Sequence, residues 1–210
     1  MPPRKKKTSA HQRRKRPQGE TSHAVVEALI EATSRLLIEH GYVGTTTNHI
    51  AKVAGVSVGS LYQYFSSKQG LVAELGRRQA NKAAELFARA LETARTFPLR
   101  AAVPEVVRTL ISLPGDPRLR QQLLEMIPRE WTREERLRVE GDVQRGIAEY
   151  LRQHDEVDDG DQELRAFVIM HSVQAIIDAA VWQRQDLLAG DALTDELTRL
   201  IGRYLERRDA

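Results

Sequence analysis

Residues 41–71 read GYVGTTTNHIAKVAGVSVGSLYQYFSSKQGL, and two short helices joined by a tight turn are legible in them. Thr46 is placed to cap the first, because its hydroxyl can accept from a backbone N–H that a helix start leaves unpaired. Ile50, Ala51 and Ala54 give that helix an apolar face of small footprint, which lets another helix cross closely. Gly55 stands where the helix ends, suited to the left-handed conformation that glycine adopts at little cost. Ser57 can cap the second helix, with Val56 and Leu61 flanking it at the positions of a hydrophobic staple. Ser66 and Gln69 have capping-box spacing for a longer third helix. The spacing predicts helices over roughly 47–54 and 58–65.

Two short helices joined by a glycine-containing turn of three to four residues form a helix-turn-helix, whose second helix enters the DNA major groove. With Leu61 and Phe65 turned inward, Val58, Gly59, Ser60, Gln63 and Tyr64 are left toward the exposed side. The small residues at the start of that helix let its backbone approach DNA closely. Gln63 can read a base edge, typically adenine. Thr47, Tyr62 and Lys68 suit phosphates, and Lys68 also opens a helix whose unpaired N–H groups attract anions.

The stretch from about 24 to 75 resembles the TetR family of bacterial transcriptional regulators. Gly41-Tyr42, Thr45-Thr46, Ile50-Ala51, Ala54-Gly55-Val56-Ser57, Gly59-Ser60-Leu61-Tyr62, Tyr64-Phe65 and Ser67-Lys68 stand in that family's order and spacing. The resemblance implies an N-terminal three-helix DNA-binding domain and a C-terminal helical domain that binds a small effector and dimerises. It further implies that Thr47 and Tyr62 contact the DNA backbone, Asn48 and Gln63 contact bases, and Lys68 anchors a phosphate. Val58 stands where the family commonly has lysine or arginine, which weakens the case for a guanine contact there. Beyond this stretch the likeness is one of helix count and order.

Charge is unevenly placed along the chain. The 32 Lys+Arg and 29 Asp+Glu leave a net +3. Within residues 1–20, however, Arg4, Lys5, Lys6, Lys7, Arg13, Arg14, Lys15 and Arg16 face only Glu20, while residues 21–70 balance and the remainder is acidic. Such a basic head calls for a polyanion. Residues 1–19 hold no large apolar side chain beyond Met1 and are expected to form a flexible arm. Beside a helix-turn-helix the arm reads as a DNA contact, in the minor groove or along the backbone, with an affinity that falls steeply with salt. The blander reading is a solubility tail.

Other chemistries are poorly served. The absence of cysteine excludes disulfides, thiolate zinc sites, iron–sulfur ligation and cysteine nucleophiles. The six histidines show no i, i+4 pair and no carboxylate at metal spacing, so neither a metal nor a cofactor is expected. Gly55-Val56-Ser57-Val58-Gly59 fits the nucleophile elbow of hydrolases, but that motif needs a preceding strand. Here a helix precedes it, so Ser57 reads as a cap and the chain as no enzyme. No apolar stretch follows the basic head as a secretory signal requires, and the charge-free runs 53–67 and 166–177 are too short and polar to cross a bilayer. A cytoplasmic protein without membrane association is expected.

Helical periodicity pervades the rest, giving an all-α fold of about nine helices. The expected division is a basic arm over 1–19, a helix-turn-helix domain over 20–70 and a helical effector-binding and dimerisation domain over 71–210. A long helix runs from 67 to about 96. Pro98, Pro104, Pro114, Pro117 and Pro128 are expected to divide the middle into short helices. A helix over about 131–153, an acidic loop at 155–161 and two apolar helices, about 162–184 and 194–207, complete the chain. His171, Gln174, Asp178 and Trp182 fall near one stripe of the penultimate helix. They can orient an effector in a mostly apolar pocket, or serve as interfacial or satisfied core residues. Met126 and Trp131 can line a cavity or simply pack. The function these features imply is a homodimeric repressor, released from a near-palindromic double-stranded operator by a small, largely apolar effector. The alternative is a DNA-binding architectural protein without an effector.

Overall fold

The computed structural model describes residues 20–206 except 113–115, 131–132, 155–156 and 158–159, with side chains undescribed also at 20–21, 127–136 and 139. Among the described residues the chain is all-α. Nine helices run in order: α1 (Glu20–Gly44), α2 (Thr47–Val53), α3 (Val58–Tyr64), α4 (Lys68–Ala94), α5 (Leu99–Ile111), α6 (Pro117–Glu130), α7 (Arg133–Arg152), α8 (Gln162–Gln183) and α9 (Ala192–Leu205). A short 3₁₀ turn, Gln185–Leu188, precedes α9, and a single bridge pairs Val157 with Glu206.

Packing divides the chain into two compact units. The first comprises the described residues up to Arg78 together with Asp116–Arg133. Its core joins Val26, Leu29, Leu36 and Leu37 of α1, Ile50 and Ala51 of α2, Leu61 of α3 and Phe65 to Leu71, Val72 and Leu75 of α4. Leu119, Leu123 and Met126 of α6 complete it. The compact unit therefore runs eight residues past the boundary expected at 70 and recruits a helix from the middle of the chain. Helix α6 packs on α1, and its Leu119, Leu123 and Met126 add to the apolar surface buried there. Along α4, the nearly buried Glu74 carboxylate is paired with Arg77 and, at 3.0 Å, with Arg78, whose guanidinium also reaches Glu27 of α1 at 2.5 Å. A buried carboxylate persists only when paired in this way.

The second unit holds Gln79–Gly115 and the described part of Glu134–Ala210. Phe87 and Leu91 of α4, Val103 and Val107 of α5, Ile147 and Leu151 of α7, Val173 and Ile177 of α8, and Leu197 and Ile201 of α9 form its core. Helix α5 packs chiefly on α9. Among the described residues, which do not include Pro114, the prolines divide the middle less than expected. Pro98 precedes α5 and Pro117 opens α6, positions where the missing N–H costs nothing, but Pro104 lies inside α5 and Pro128 inside α6. The cost at Pro104 is offset because Leu99, Ala102, Val103, Val107 and Ile111 keep one buried stripe through it. At 155–161 the described residues include a buried anchor, Val157, and Asp161, which caps α8 by accepting from the N–H groups of Glu163 and Leu164.

Helix α8 is the one described helix long and apolar enough, by length and composition, to cross a membrane. Its charge-free run ends at Ile177 because Asp178 interrupts the apolar stretch. One side of α8, with Ala166, Val173, Ile177, Ala180 and Val181, is buried, and all of these but Val181 belong to the core of the second unit.

Candidate nucleic-acid interface

The expected end signals of the two short helices form, with one displaced at the next helix. The Thr46 hydroxyl accepts from the His49 N–H at 3.2 Å, and the Ser57 hydroxyl accepts from the Ser60 N–H at 2.9 Å. Between them Gly55 takes φ +68°, the Val56 N–H donates to the Ala51 carbonyl at 3.0 Å and the Gly55 N–H to that of Lys52 at 3.2 Å. This pair of bonds is a Schellman ending, which satisfies carbonyls that a helix end would otherwise leave unpaired. Val56 packs against the core that contains Leu61, as a staple requires. At α4 the capping hydroxyl is that of Ser67, accepting from the Gly70 N–H at 3.2 Å, one residue beyond the expected Ser66. Helix α4 starts at Lys68, so Gly70 rather than Gln69 occupies the third helical position.

Helix α3 buries Leu61 and leaves Val58, Gly59, Tyr62 and Gln63 exposed, with Ser60 partly covered and its hydroxyl 2.8 Å from that of Ser57. Tyr64 departs from expectation. It is 7% exposed and belongs to the core, because a residue three positions after Leu61 returns to the same helical face. Asn48 is exposed at the start of α2, next to Thr47. The hydroxyls of Thr47 and Tyr62 lie 3.1 Å apart, joining α2 to α3. Two groups expected at phosphates thus stand side by side, each keeping hydrogen-bonding capacity for a further partner.

Lys68 is less free than a surface anchor would be. Its ammonium donates to the Tyr42 carbonyl at 2.7 Å and lies 3.9 Å from the centre of the Tyr42 ring. Partial burial pushes its pKa below the usual lysine range. Tyr42 follows Gly41, whose φ of +65° and ψ of 179° break α1 and turn the chain toward α2. The Thr45 hydroxyl donates back to the Gly41 carbonyl at 2.7 Å, and the Tyr42 N–H donates to Oε1 of Gln122 on α6 at 2.9 Å. Gln122 had no signal in the sequence. It lies 80 positions from Tyr42, and only folding brings the two together.

The arm residues Arg4, Lys5, Lys6, Lys7, Arg13, Arg14, Lys15 and Arg16 lie outside the described residues, as does Trp131. Met126 is 6% exposed in the core of the first unit, whereas His171, Gln174, Asp178 and Trp182 all lie on α8 in the second. On α8, His171 and Gln174 are exposed, Trp182 is 46% exposed, and the Gln174 amide donates to Asp178 at 2.7 Å. The adjoining Leu164 and Phe167 are exposed, the latter with its ring edge-on to His171 at 4.3 Å, and so are Leu200 and Tyr204 of α9. The stripe thus faces outward from this chain. Among the described residues no three histidine or acidic side chains gather as metal ligands.

Two capped helices around a left-handed glycine, with an exposed polar and small-residue face on the second, define a helix-turn-helix protein of the DNA-binding class. A family model described as bacterial regulatory proteins, tetR family, matches residues 29–75, and one described as tetracyclin repressor-like, C-terminal domain, matches 98–205. The second match alone spans more than half of the 210 residues. The chain belongs to the TetR family of transcriptional regulators.

Among curated relatives, the transcriptional repressor AcnR of Corynebacterium diphtheriae is 34% identical over 62 residues, covering 30% of this chain and 33% of the relative. The chain therefore spans about a third of the length of the curated relatives it matches. Solved structures extend the likeness of fold. A TetR family transcription regulator from Marinobacter aquaeolei superposes with a TM-score of 0.64 at 18% identity, over 90% of this chain and 98% of the other. FadR of Bacillus subtilis, solved with stearoyl-CoA, gives 0.63 at 21% identity over 83% and 96%.

Proposed function

We propose that this protein is a cytoplasmic, homodimeric repressor that binds a near-palindromic operator and leaves it when a small, largely apolar effector binds. The exposed face of α3 carries the reading. Gln63 takes a base edge, Val58, Gly59 and Ser60 let the helix backbone approach the groove, and Asn48 contacts a base from α2. The paired hydroxyls of Thr47 and Tyr62 and the Lys68 ammonium hold phosphates, which fixes the register on the duplex without reading sequence. The basic arm adds attraction that the charge-balanced helix-turn-helix lacks.

The outward stripe on α8 supports the interfacial role of His171, Gln174, Asp178 and Trp182 over the pocket role. Phe167 and Trp182 of α8 and Leu200 and Tyr204 of α9 are large apolar side chains left exposed, of the kind a second copy covers. A two-fold dimer sets two recognition helices at half-sites about one helical turn, or a multiple, apart. An effector with higher affinity for the state unable to span those half-sites shifts the population away from DNA. Helix α4, whose residues belong to both units, is the continuous element along which such a change passes. The AcnR relatives, named as repressors, favour repression over activation.

The test is selection of duplexes from a random pool followed by footprinting. One protected palindrome of fixed spacing supports the regulator. Coverage without sequence preference supports the architectural alternative.

A further inference from the structure

We propose that Gln122, on α6 and far in sequence from the helix-turn-helix, is a positioning residue for DNA binding that acts through Tyr42 and Lys68. This rests on the reading of Lys68 as a phosphate contact. The chain of contacts is short and continuous. The Gln122 amide oxygen accepts from the Tyr42 N–H at 2.9 Å, and the carbonyl of Tyr42 accepts from the Lys68 ammonium at 2.7 Å. The Tyr42 ring lies beneath the same ammonium, with 3.9 Å to its centre.

Lys68 heads α4, and its four-carbon stem would otherwise sample many rotamers at a substantial entropic cost on binding. Held on the Tyr42 carbonyl and ring, the ammonium keeps two N–H donors for a phosphate at a set place. Tyr42 follows the break at Gly41, where φ is +65°, and its N–H and carbonyl, which belong to successive peptide groups, each have partners. Thr45 supplies one, its N–H donating to the Tyr42 carbonyl at 3.3 Å, and Gln122 supplies another from α6. An ordinary Cβ at Gly41 would come within 3.7 Å of Gln122 Oε1, so the helix break and the Gln122 side chain meet closely there. Helix α6 also belongs to the first unit by packing, although the chain on both sides of it belongs to the second. A displacement of α6 would therefore reach the phosphate anchor through one side chain.

The test uses the full chain and a duplex enriched by the wild-type protein from a random-sequence pool. Gln122→Met keeps the length and removes the acceptor. It is expected to weaken binding about tenfold and to speed hydrogen exchange at the Tyr42 amide, with the far-UV circular dichroism of the free protein unchanged. Gln122→Glu keeps an acceptor oxygen and is expected to restore protection of that amide. Lys68→Met is expected to lower the salt slope of binding by roughly one phosphate contact. Because Gln122 acts through Lys68, the double variant should bind no more weakly than Lys68→Met alone. Wild-type affinity in Gln122→Met, or full additivity of the two losses, overturns the inference. If the wild-type protein enriches no duplex, the DNA reading itself fails. Unchanged Tyr42 exchange in Gln122→Met overturns the positioning role whichever way the DNA result falls.

Discussion

Two glycines four positions apart in the helix-turn-helix should respond to alanine with opposite sign. Gly55 has φ +68° and no neighbouring atom within 4 Å of an added Cβ, so its substitution meets no clash and the cost is purely conformational. The left-handed backbone costs a residue with a Cβ roughly 1–2 kcal/mol. Reduced freedom of the unfolded chain returns about 0.4–1 kcal/mol. Gly55→Ala should therefore destabilise the first unit by about 1 kcal/mol, displacing its urea midpoint downward by roughly 0.3–1 M. Gly59 lies in α3, and the nearest contact of an added Cβ is Ser57 Oγ at an ordinary 3.7 Å. Gly59→Ala should stabilise by about 0.5 kcal/mol, since glycine in a helix gives up that much relative to alanine. Its Cβ also stands on the exposed face proposed to meet DNA, so the same variant should bind a selected duplex more weakly. The assay is urea denaturation by circular dichroism at one fixed protein concentration, with hydrogen exchange over α2 and α3 locating the effect. Equal or raised stability in Gly55→Ala would refute the conformational argument, as would two shifts of the same sign.

Deletion of residues 1–19 should weaken operator binding and flatten its dependence on salt by up to about 0.9 for each phosphate that the arm neutralises, and an unchanged slope would make the arm a tail. Gln63→Ala should relax discrimination at one base position by about 1–3 kcal/mol, whereas Tyr62→Phe, which removes one of the paired hydroxyls, should weaken all sequences alike. Competition binding against single-base variants of the selected duplex separates the two. Trp182→Glu, a charge placed on the outward face of α8, should convert the protein to monomer in sedimentation experiments. A dimer undiminished by that substitution would place the interface elsewhere.

The local grammar of the helix-turn-helix was legible residue by residue. The cap at Thr46, the left-handed Gly55, the cap at Ser57 and the inward Leu61 depend on neighbours within a few positions, and such signals survive whatever the rest of the chain does. The inward turn of Tyr64 is not legible in the same way, because the face assignment of a seven-residue helix shifts with a small change in where its apolar stripe is centred. Pro104 escapes a reading by local penalty alone, because the burial that offsets a proline comes from the packing of the whole helix.

By itself, then, the sequence determined the helical class, the positions of the helix ends around the turn and the family, because hydrophobic period and capping chemistry are local. Only the tertiary structure decided that α6 joins the first core, that the polar stripe of α8 faces outward, that Lys68 bonds to the Tyr42 carbonyl and that the Tyr42 N–H bonds to Gln122. The physical reason is distance along the chain. An amide 80 residues away leaves no periodic trace in the sequence, and which side of an amphipathic helix is covered depends on partners that its own residues do not specify.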